Sequence, residues 1–396
     1  MPIQVQHTAQ RVNAWLLPLL ALSLPVSTSA VSILSILIFI FWIGEGQYKV
    51  KLEEIIRNEV AIAILLYLLL HVVALLWTDD KVSGLDVLQK QWKLMFMPVF
   101  LTALQPEHRR RNIYFFLAGL VAVMLSTYLA WLDLFHYGGV TPDHPTRRLF
   151  HVVYNPLLAF GFYLVMHEAI WEGLKGGRRW FFYAIALCMA FNMFITEGRA
   201  GQVAFFVMLA LLLLQYFRRN IVKGVLIAAV LLPIMFGVGF QFSSTFHKRV
   251  IQVGDEIGSF KENPNTSIGL RLLFWENSWE IIKKNPLLGV GTGDYQNEYG
   301  KVNKKASPTM VVTDNPHNQY VMVLCQFGIL GLLSLLAIFF LQLRQAFTVQ
   351  DGFERIRMAF PVLLLVIMLT ESYLIVYETG FTFSLFSAIL YKKVSL

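Results

Sequence analysis

Residues 222–241 read VKGVLIAAVLLPIMFGVGFQ, an apolar run of twenty residues with one charged side chain, Lys223. About 20 apolar residues in a helix are enough to cross the hydrocarbon core of a bilayer. The whole chain of 396 residues has this character, because 56% of its residues are hydrophobic and only 15% are charged. Soluble domains have about 25% charged residues. The composition therefore excludes a soluble globular enzyme and a disordered chain, and it predicts a polytopic membrane protein.

Twelve apolar segments are candidate membrane spans, of which the first, second, fourth and last are short. The segments are 13–26, 29–44, 60–77, 92–104, 112–134, 152–170, 180–196, 201–217, 222–241, 317–342, 358–375 and 379–391. The pattern predicts an all-α integral membrane protein with about 12 transmembrane helices and one large helical segment outside the membrane. Residues 1–241 hold spans 1 to 9, residues 242–316 form the polar segment with an amphipathic helix and a Gly-rich turn, and residues 317–396 hold spans 10 to 12.

The basic residues orient these predicted spans. With the N-terminus inside, eighteen Lys and Arg residues fall in inner segments and six in the short outer loops. Such an excess marks the cytoplasmic loops of membrane proteins. The net charge of +8 thus has a topological origin, and we expect no nucleic-acid partner. Segment 242–316 is expected outside, which in a bacterium is the periplasmic side of the inner membrane.

Within this outer segment, residues 266–285 (TSIGLRLLFWENSWEIIKKN) are predicted to form an amphipathic helix that ends before Pro286. On a helical wheel, Arg271 lies on the apolar face with Trp275 and Trp279, opposite the charged face. A guanidinium on an apolar face needs an anionic partner. The alternatives to a ligand site are a structural ion pair and a side chain that extends toward the membrane interface.

Two short motifs follow this helix. The run 287–294, LLGVGTGD, has alternating glycines, Gly291 among them, which allow a close backbone approach or a tight turn. The motif 315–318, NPHN, opens the tenth span and is expected to place His317 and Asn318 in its first turn. The helix dipole disfavours an imidazolium there, so we predict a neutral His317 that acts as a general base, unless an anion lies beside it. The alternative is a histidine that only hydrogen-bonds at the interface.

Three arginines lie in predicted outer loops, which the positive-inside rule depletes of basic residues. They are Arg147, Arg148 and Arg199. With Arg271 they indicate a lipid phosphate or diphosphate at the outer membrane surface, because Arg binds phosphate oxygens through two parallel N–H groups. Contact of Arg147 and Arg148 with anionic headgroups is the alternative. Glu371, in or near the eleventh span, is a minor candidate for which the sequence indicates no clear partner.

Together these motifs resemble those of the O-antigen ligase and polymerase superfamily. The resemblance rests on the late outer segment, on Arg271 and Trp275 ahead of the glycine run, on the Asn-Pro-His-Asn motif and on Arg199. It implies a membrane glycosyltransferase of the GT-C type. Such a ligase moves a glycan from undecaprenyl diphosphate to the lipid A–core oligosaccharide at the periplasmic face of the inner membrane, among membrane lipids and without a metal ion or other cofactor.

For such an enzyme we predict direct displacement with inversion at the anomeric carbon. His317 is the predicted base, and Arg199 and Arg271 are the predicted catalytic contacts to the diphosphate. Contacts to substrate are predicted for Arg147, Arg148, Asn318, Trp275 and Gly291. The alternatives within the superfamily are a glycan polymerase and a protein O-oligosaccharyltransferase. The alternative outside the enzymes is a transporter of lipid-linked glycans.

Overall fold

The fold is described from a computed structural model that covers residues 3–135, 139–146 and 151–393. These described residues form seventeen α-helices and no β-strand, so the predicted all-α class is confirmed. The helices are α1 (Ile3–Ser23), α2 (Thr28–Gly44), α3 (Tyr48–Arg57), α4 (Glu59–Val73), α5 (Lys81–Lys90), α6 (Phe96–Ala103), α7 (Arg109–Trp131), α8 (His151–Trp171), α9 (Gly176–Ile195), α10 (Arg199–Tyr216), α11 (Ile221–Phe242), α12 (Ser244–Gly258), α13 (Ser267–Lys284), α14 (Tyr295–Ala306), α15 (Gln319–Thr348), α16 (Glu354–Ile367) and α17 (Tyr377–Tyr391).

Each apolar segment identified in the sequence overlaps a helix, but several of these helices are short for a bilayer. Five described stretches are long and apolar enough to span one, namely Glu59–Leu76, Pro106–Trp131, Arg199–Tyr216, Ile221–Phe242 and Gln319–Thr348. Helices α2 and α3 pass the same test as a pair and meet at a bend of 117°. The described residues therefore form a multi-pass membrane protein with five or six spans of full length.

Helix α17 lies at the centre of the bundle, and all its residues from Thr379 to Tyr391 are buried. The ring of Phe386 on this helix packs against three rings from other helices. Its centroid lies 4.9 Å from that of Phe116 on α7, 5.1 Å from Phe160 on α8 and 5.6 Å from Phe360 on α16. Because lipid is as apolar as these side chains, van der Waals packing of this kind holds membrane helices together.

Helices α12, α13 and α14 cover one end of the bundle, called the α12–α14 end below. Between α13 and α14, the glycine run docks into a break in α15, where Gly328 has φ 60° and ψ −154°. The Val290 N–H donates to the Cys325 carbonyl at 2.9 Å. Gly289 has φ +65°, and a Cβ there would lie 2.3 Å from the carbonyl carbon of Gln326. Of the two alternatives that the sequence left open for this run, a close backbone approach and a tight turn, the structure shows the close approach.

The loop before α5 is hydrogen-bonded to the α12–α14 end. The carboxylate of Asp294 accepts the backbone N–H groups of Asp79 at 2.7 Å and of Asp80 at 2.8 Å. Gly291 is buried beside Thr78, and a Cβ at this glycine would lie 2.4 Å from the Thr78 hydroxyl oxygen. The packing accounts for Gly291, so we do not retain it as a predicted substrate contact.

Candidate functional site

Helix α13 carries Arg271 at the border of its buried face. Its predicted extent, 266–285, is confirmed, and the Thr266 side chain caps its first turn. Arg271 and Trp275 are half-buried. Trp279, which the helical wheel places on the apolar face, is 56% exposed instead. The reason is that α13 packs on α14 and α15, which centres its buried arc away from Trp279.

A cleft at the α12–α14 end brings three arginines together. Arg199 begins α10, Arg249 lies on α12 and Arg271 lies on α13. All three line the cleft, together with Glu197 and Tyr373, and the cleft encloses about 460 Å³, open solvent included. We call it the arginine cleft. It contains both of the arginines predicted to contact the diphosphate and a third, Arg249, which no sequence motif singled out.

Carboxylates neutralise only part of the positive charge of the arginine cleft. Nη2 of Arg199 lies 3.3 Å from Oε1 of Glu256, and Nη2 of Arg249 lies 2.6 Å from Oε1 of Glu197. Across residues 3–135, 139–146 and 151–393, no carboxylate forms an ion pair with Arg271. Because three guanidinium groups face two carboxylates, the cleft keeps a net positive charge.

The carboxylate of Glu197 lies between Arg249 and a histidine at the edge of this cleft. Besides Arg249, its carboxylate contacts Nδ1 of His144 at 3.0 Å. Burial raises the pKa of Glu197, but the hydrogen bonds and the positive charges of His144 and Arg249 outweigh burial and leave this pKa below its ordinary range. Glu197 is therefore ionised at neutral pH and fixes the position of the Arg249 guanidinium.

The N-terminus of helix α10 also lines the arginine cleft. Gly198 precedes the helix and offers no side chain to cap the free N–H groups of the first turn. Such an end carries partial positive charge and binds anions. Nη1 of Arg199 is enclosed and has no hydrogen-bond partner among the described residues. The cleft thus offers more donors than acceptors, an arrangement suited to a phosphate group with several charged oxygens.

His317 lies just outside helix α15, which corrects its predicted place in the first helical turn. The helix begins at Gln319, and Asn318 is its N-cap. His317 has φ 52°, in the left-handed region that few residues other than glycine adopt. The indole N–H of Trp275 donates to the Pro316 carbonyl at 2.9 Å. Trp275 therefore supports the segment that carries His317, and its predicted contact with substrate stays a prediction.

The imidazole of His317 is paired with Glu371, the residue for which the sequence indicated no clear partner. Nδ1 of His317 lies 2.6 Å from Oε2 of Glu371. The other carboxylate oxygen accepts the Asn315 amide at 2.7 Å and the Ser372 N–H at 2.8 Å. Burial raises the pKa of Glu371, but the hydrogen bond and charge of His317, with these two donors, leave it below its ordinary range.

This pairing sets the tautomer of His317. An ionised carboxylate only accepts hydrogen bonds, so Nδ1 of the imidazole must carry the proton that faces Glu371. Nε2 is then free to accept a proton from a substrate, and Glu371 stabilises the imidazolium that results. The anion that the sequence analysis named as the exception to a neutral His317 is therefore present, and the neutral imidazole stays a prediction.

A short loop, 368–376, connects this pair to the arginine cleft. Thr370 and Tyr373 line the cleft, whereas Glu371 between them binds His317. The Tyr373 hydroxyl donates to the Val152 carbonyl at 2.8 Å, which fixes the loop against α8. The candidate base and the candidate phosphate site therefore share one structural support.

Both polar atoms of the Asn318 side-chain amide form hydrogen bonds within the protein. Its oxygen accepts the N–H groups of Tyr320 at 3.0 Å and of Val321 at 3.2 Å, and its nitrogen donates to the Leu369 carbonyl at 3.1 Å. Asn318 is also buried, so we assign it to the support of the site rather than to substrate contact. Arg147 and Arg148, also predicted to contact substrate, lie outside the described residues.

One group of side chains among the described residues has the spacing of metal ligands. His167, Glu168 and Glu172 have ligand atoms within 4.8 Å of one another. The group lies toward the C-terminal end of α8. Arg110 forms ion pairs with both glutamates. Because a guanidinium already occupies the position that a cation would take, these residues do not fit a metal centre.

These observations define an all-helical, multi-pass membrane protein, with a cleft lined by three arginines and a histidine–carboxylate pair at one end of its described part. Residues 184–336 match the family model described as "O-Antigen ligase", so the chain carries a domain of that family and the resemblance identified in the sequence is confirmed. The family is one of membrane proteins similar to glycosyltransferases. The matched region contains the three arginines of the cleft and His317, whereas Glu371 lies C-terminal to it.

A similar protein occurs in Haemophilus influenzae. It is described as "Uncharacterized protein" and is 23% identical to this chain over 282 residues, which is 69% of each of the two chains. The similarity therefore extends well beyond the region that matches the family model.

Proposed function

We propose that this protein transfers a glycan from a polyprenyl diphosphate to the hydroxyl group of a second glycan, as a metal-independent, inverting glycosyltransferase. The observation that carries the proposal is the His317–Glu371 pair, because Glu371 lies on the loop that also lines the arginine cleft. A general base and a site for a leaving diphosphate are the two parts that direct displacement of a diphosphate requires.

The proposed step is a single displacement. The acceptor oxygen forms a bond to the anomeric carbon as its proton passes to Nε2 of His317. The bond between the anomeric carbon and the diphosphate oxygen breaks, and its electron pair leaves with the diphosphate. Arg199, Arg249 and Arg271 stabilise the charge that develops on the leaving group. Glu371 stabilises the imidazolium until its proton is released to water.

As natural substrates we propose undecaprenyl-diphosphate O-antigen as donor and lipid A–core oligosaccharide as acceptor, and the family description "O-Antigen ligase" supports the choice of glycan. In this proposal the α12–α14 end faces the periplasm at the bacterial inner membrane, and the distribution of basic residues supports that orientation. We further infer that the shorter apolar helices cross the membrane with the longer ones, as in a GT-C arrangement of about 12 spans.

The proposal is tested by reconstitution. Purified protein is mixed with undecaprenyl-diphosphate glycan and lipid A–core in the presence of EDTA. We expect the wild-type protein to transfer glycan to the core. We expect His317→Ala to transfer it at a rate about 10²–10⁴-fold lower, the usual effect of removing a general base. His7→Ala, at an exposed histidine on α1, is the matched control. A folded His317→Ala protein with normal transfer would exclude the proposed base.

Other products would distinguish the alternatives. Longer lipid-linked chains with unmodified core would identify a polymerase, and glycan on a protein acceptor would identify an O-oligosaccharyltransferase. A transporter draws support from the break in α15, because interrupted helices are common in transporters. Movement of the intact donor across a vesicle membrane, without transfer in any assay, would favour that function.

A further inference from the structure

A second cavity opens at the α12–α14 end, between α5, the start of α14 and α15. It encloses about 800 Å³, open solvent included. The exposed side chains of Asp86, Lys90, Gln296 and Asp314 line it, together with the half-buried Asn315. We call it the carboxylate cavity. It is polar, accessible and separate from the arginine cleft.

The two carboxylates of this cavity are available to a ligand. Within the described part of the chain, neither Asp86 nor Asp314 takes part in a hydrogen bond or an ion pair through its carboxylate. Lys90 is the one basic side chain in the lining, so the cavity has a net negative charge, opposite to that of the arginine cleft. A phosphate is therefore repelled here. Carboxylates and amides instead suit the hydroxyl groups of a sugar, which both donate and accept hydrogen bonds.

The loop 368–376, which carries Glu371, contributes residues to both cavities. In the loop 368–376, Tyr373 lines the arginine cleft and Ile375 lines the carboxylate cavity, with Glu371 close by in the same loop. Asn315 makes the connection more direct, because it lines the carboxylate cavity and also donates to the Glu371 carboxylate at 2.7 Å. The Asn315 side-chain oxygen accepts the backbone N–H of His317 at 2.9 Å.

We propose that the carboxylate cavity binds the acceptor as an uncharged, hydroxyl-rich sugar residue at the end of a glycan. This inference rests on the proposed function, because it supplies the hydroxyl group whose proton His317 takes. The opposite charges of the two cavities then determine which substrate binds in which cavity. The diphosphate of the donor binds among the arginines, and the acceptor sugar binds beside Asp86 and Asp314.

The test separates acceptor binding from catalysis. The probe is soluble core oligosaccharide freed of its lipid, and its binding to the full-length protein in detergent is measured by saturation-transfer NMR. We expect the double variant Asp86→Ala/Asp314→Ala to weaken binding about tenfold or more, because hydrogen bonds to charged groups are strong. Glu276→Ala, at an exposed carboxylate on α13, is the matched control and should bind like wild type.

The transfer reaction provides the second readout. The same double variant should raise the KM for the acceptor by a similar factor, while the Kd for undecaprenyl diphosphate stays at the wild-type value. Binding and KM that both match wild type would overturn the inference, even if transfer is observed. Oligosaccharide binding that depends on the two aspartates, in a protein that transfers nothing, would support the cavity as a glycan site and reject the proposed transferase.

Discussion

Nδ1 of His317 lies 2.6 Å from Oε2 of Glu371, across 54 residues of sequence. The contact joins the segment before α15 to the loop after α16, and it gives the imidazole one defined tautomer. Asn315 and Ser372 hold the carboxylate from its other oxygen. A base that is oriented by a fixed carboxylate is the arrangement that general-base catalysis at a hydroxyl group requires.

Replacement of this carboxylate is the most direct test of its role. We expect Glu371→Gln to lower the transfer rate about 10²–10⁴-fold, because the amide neither fixes the tautomer of His317 nor stabilises the imidazolium. The Kd for undecaprenyl diphosphate should remain unchanged, since the arginine cleft is intact. The rate is measured in the reconstituted assay beside Glu276→Gln, an exposed carboxylate on α13. Full activity of Glu371→Gln would show that the contact is only structural.

The contact should also make stability depend on pH. Burial alone would raise the pKa of Glu371, but its hydrogen bonds and the charge of His317 leave it below the ordinary value of 4.5. A carboxyl group with a depressed pKa contributes stability above the pKa of the unfolded chain and loses it as the pH falls through the folded pKa. The Tm of wild type should therefore exceed that of Glu371→Gln at neutral pH.

That difference in Tm should shrink as the pH falls from 4.5 through the lower pKa of the folded Glu371 carboxyl group, because the carboxylate becomes protonated over this range. Thermal unfolding in detergent between pH 5 and pH 3 measures it, and Glu276→Gln corrects for general acid effects. A difference that stays constant, or grows, as the pH falls over this range would contradict the depressed pKa.

Asn315 and Asn318 show which part of this site could be predicted from the sequence and which could not. Both are residue types that cap helices, and the sequence analysis placed both His317 and Asn318 inside the helix. In the structure Asn318 is the cap, because the side chain of Asn315 is taken up by Glu371 and Ser372. Local preference could not decide between the two, since the competing partner comes from a distant loop.

Helix bounds that depend on local sequence were predicted more accurately than contacts that depend on distant parts of the chain. The bounds of α13 follow from its periodicity and from the proline that ends it, and the structure agrees with them. Arg249 was missed because nothing near it in the sequence indicates a ligand. It reaches the arginine cleft only because α12 folds back beside α9, where Glu197 in the turn after α9 binds it at 2.6 Å.

Binding of the diphosphate should depend on the planar shape of the Arg271 guanidinium as well as on its charge. We expect Arg271→Lys to weaken binding of undecaprenyl diphosphate about tenfold, because Lys lacks the planar pair of donors that matches phosphate oxygens. Arg219→Lys, at an exposed position between α10 and α11, is the matched control. Binding is measured by microscale thermophoresis on the full-length protein. Wild-type affinity in Arg271→Lys would mean that the cleft recognises the ligand by charge alone.

The docking of the glycine run into the break of α15 can be tested by two alanine substitutions. Gly289 and Gly173 both have positive φ, at +65° and +67°. Alanine at either position should cost about 1–2 kcal/mol of unfolding free energy, the usual penalty of a left-handed backbone. At Gly289 the new Cβ would also lie 2.3 Å from the carbonyl carbon of Gln326, whereas at Gly173 it meets no atom within 4 Å.

Gly289→Ala should therefore lose about 1–3 kcal/mol more than Gly173→Ala, the typical cost of overpacking. It should also reduce transfer, because α15 begins next to His317 and the loop braces the first turns of that helix through Cys325 and Gln326. Tm values in detergent and initial transfer rates measure the two effects. Equal losses from both substitutions would mean that the close approach of Gly289 to α15 does not occur in the folded protein.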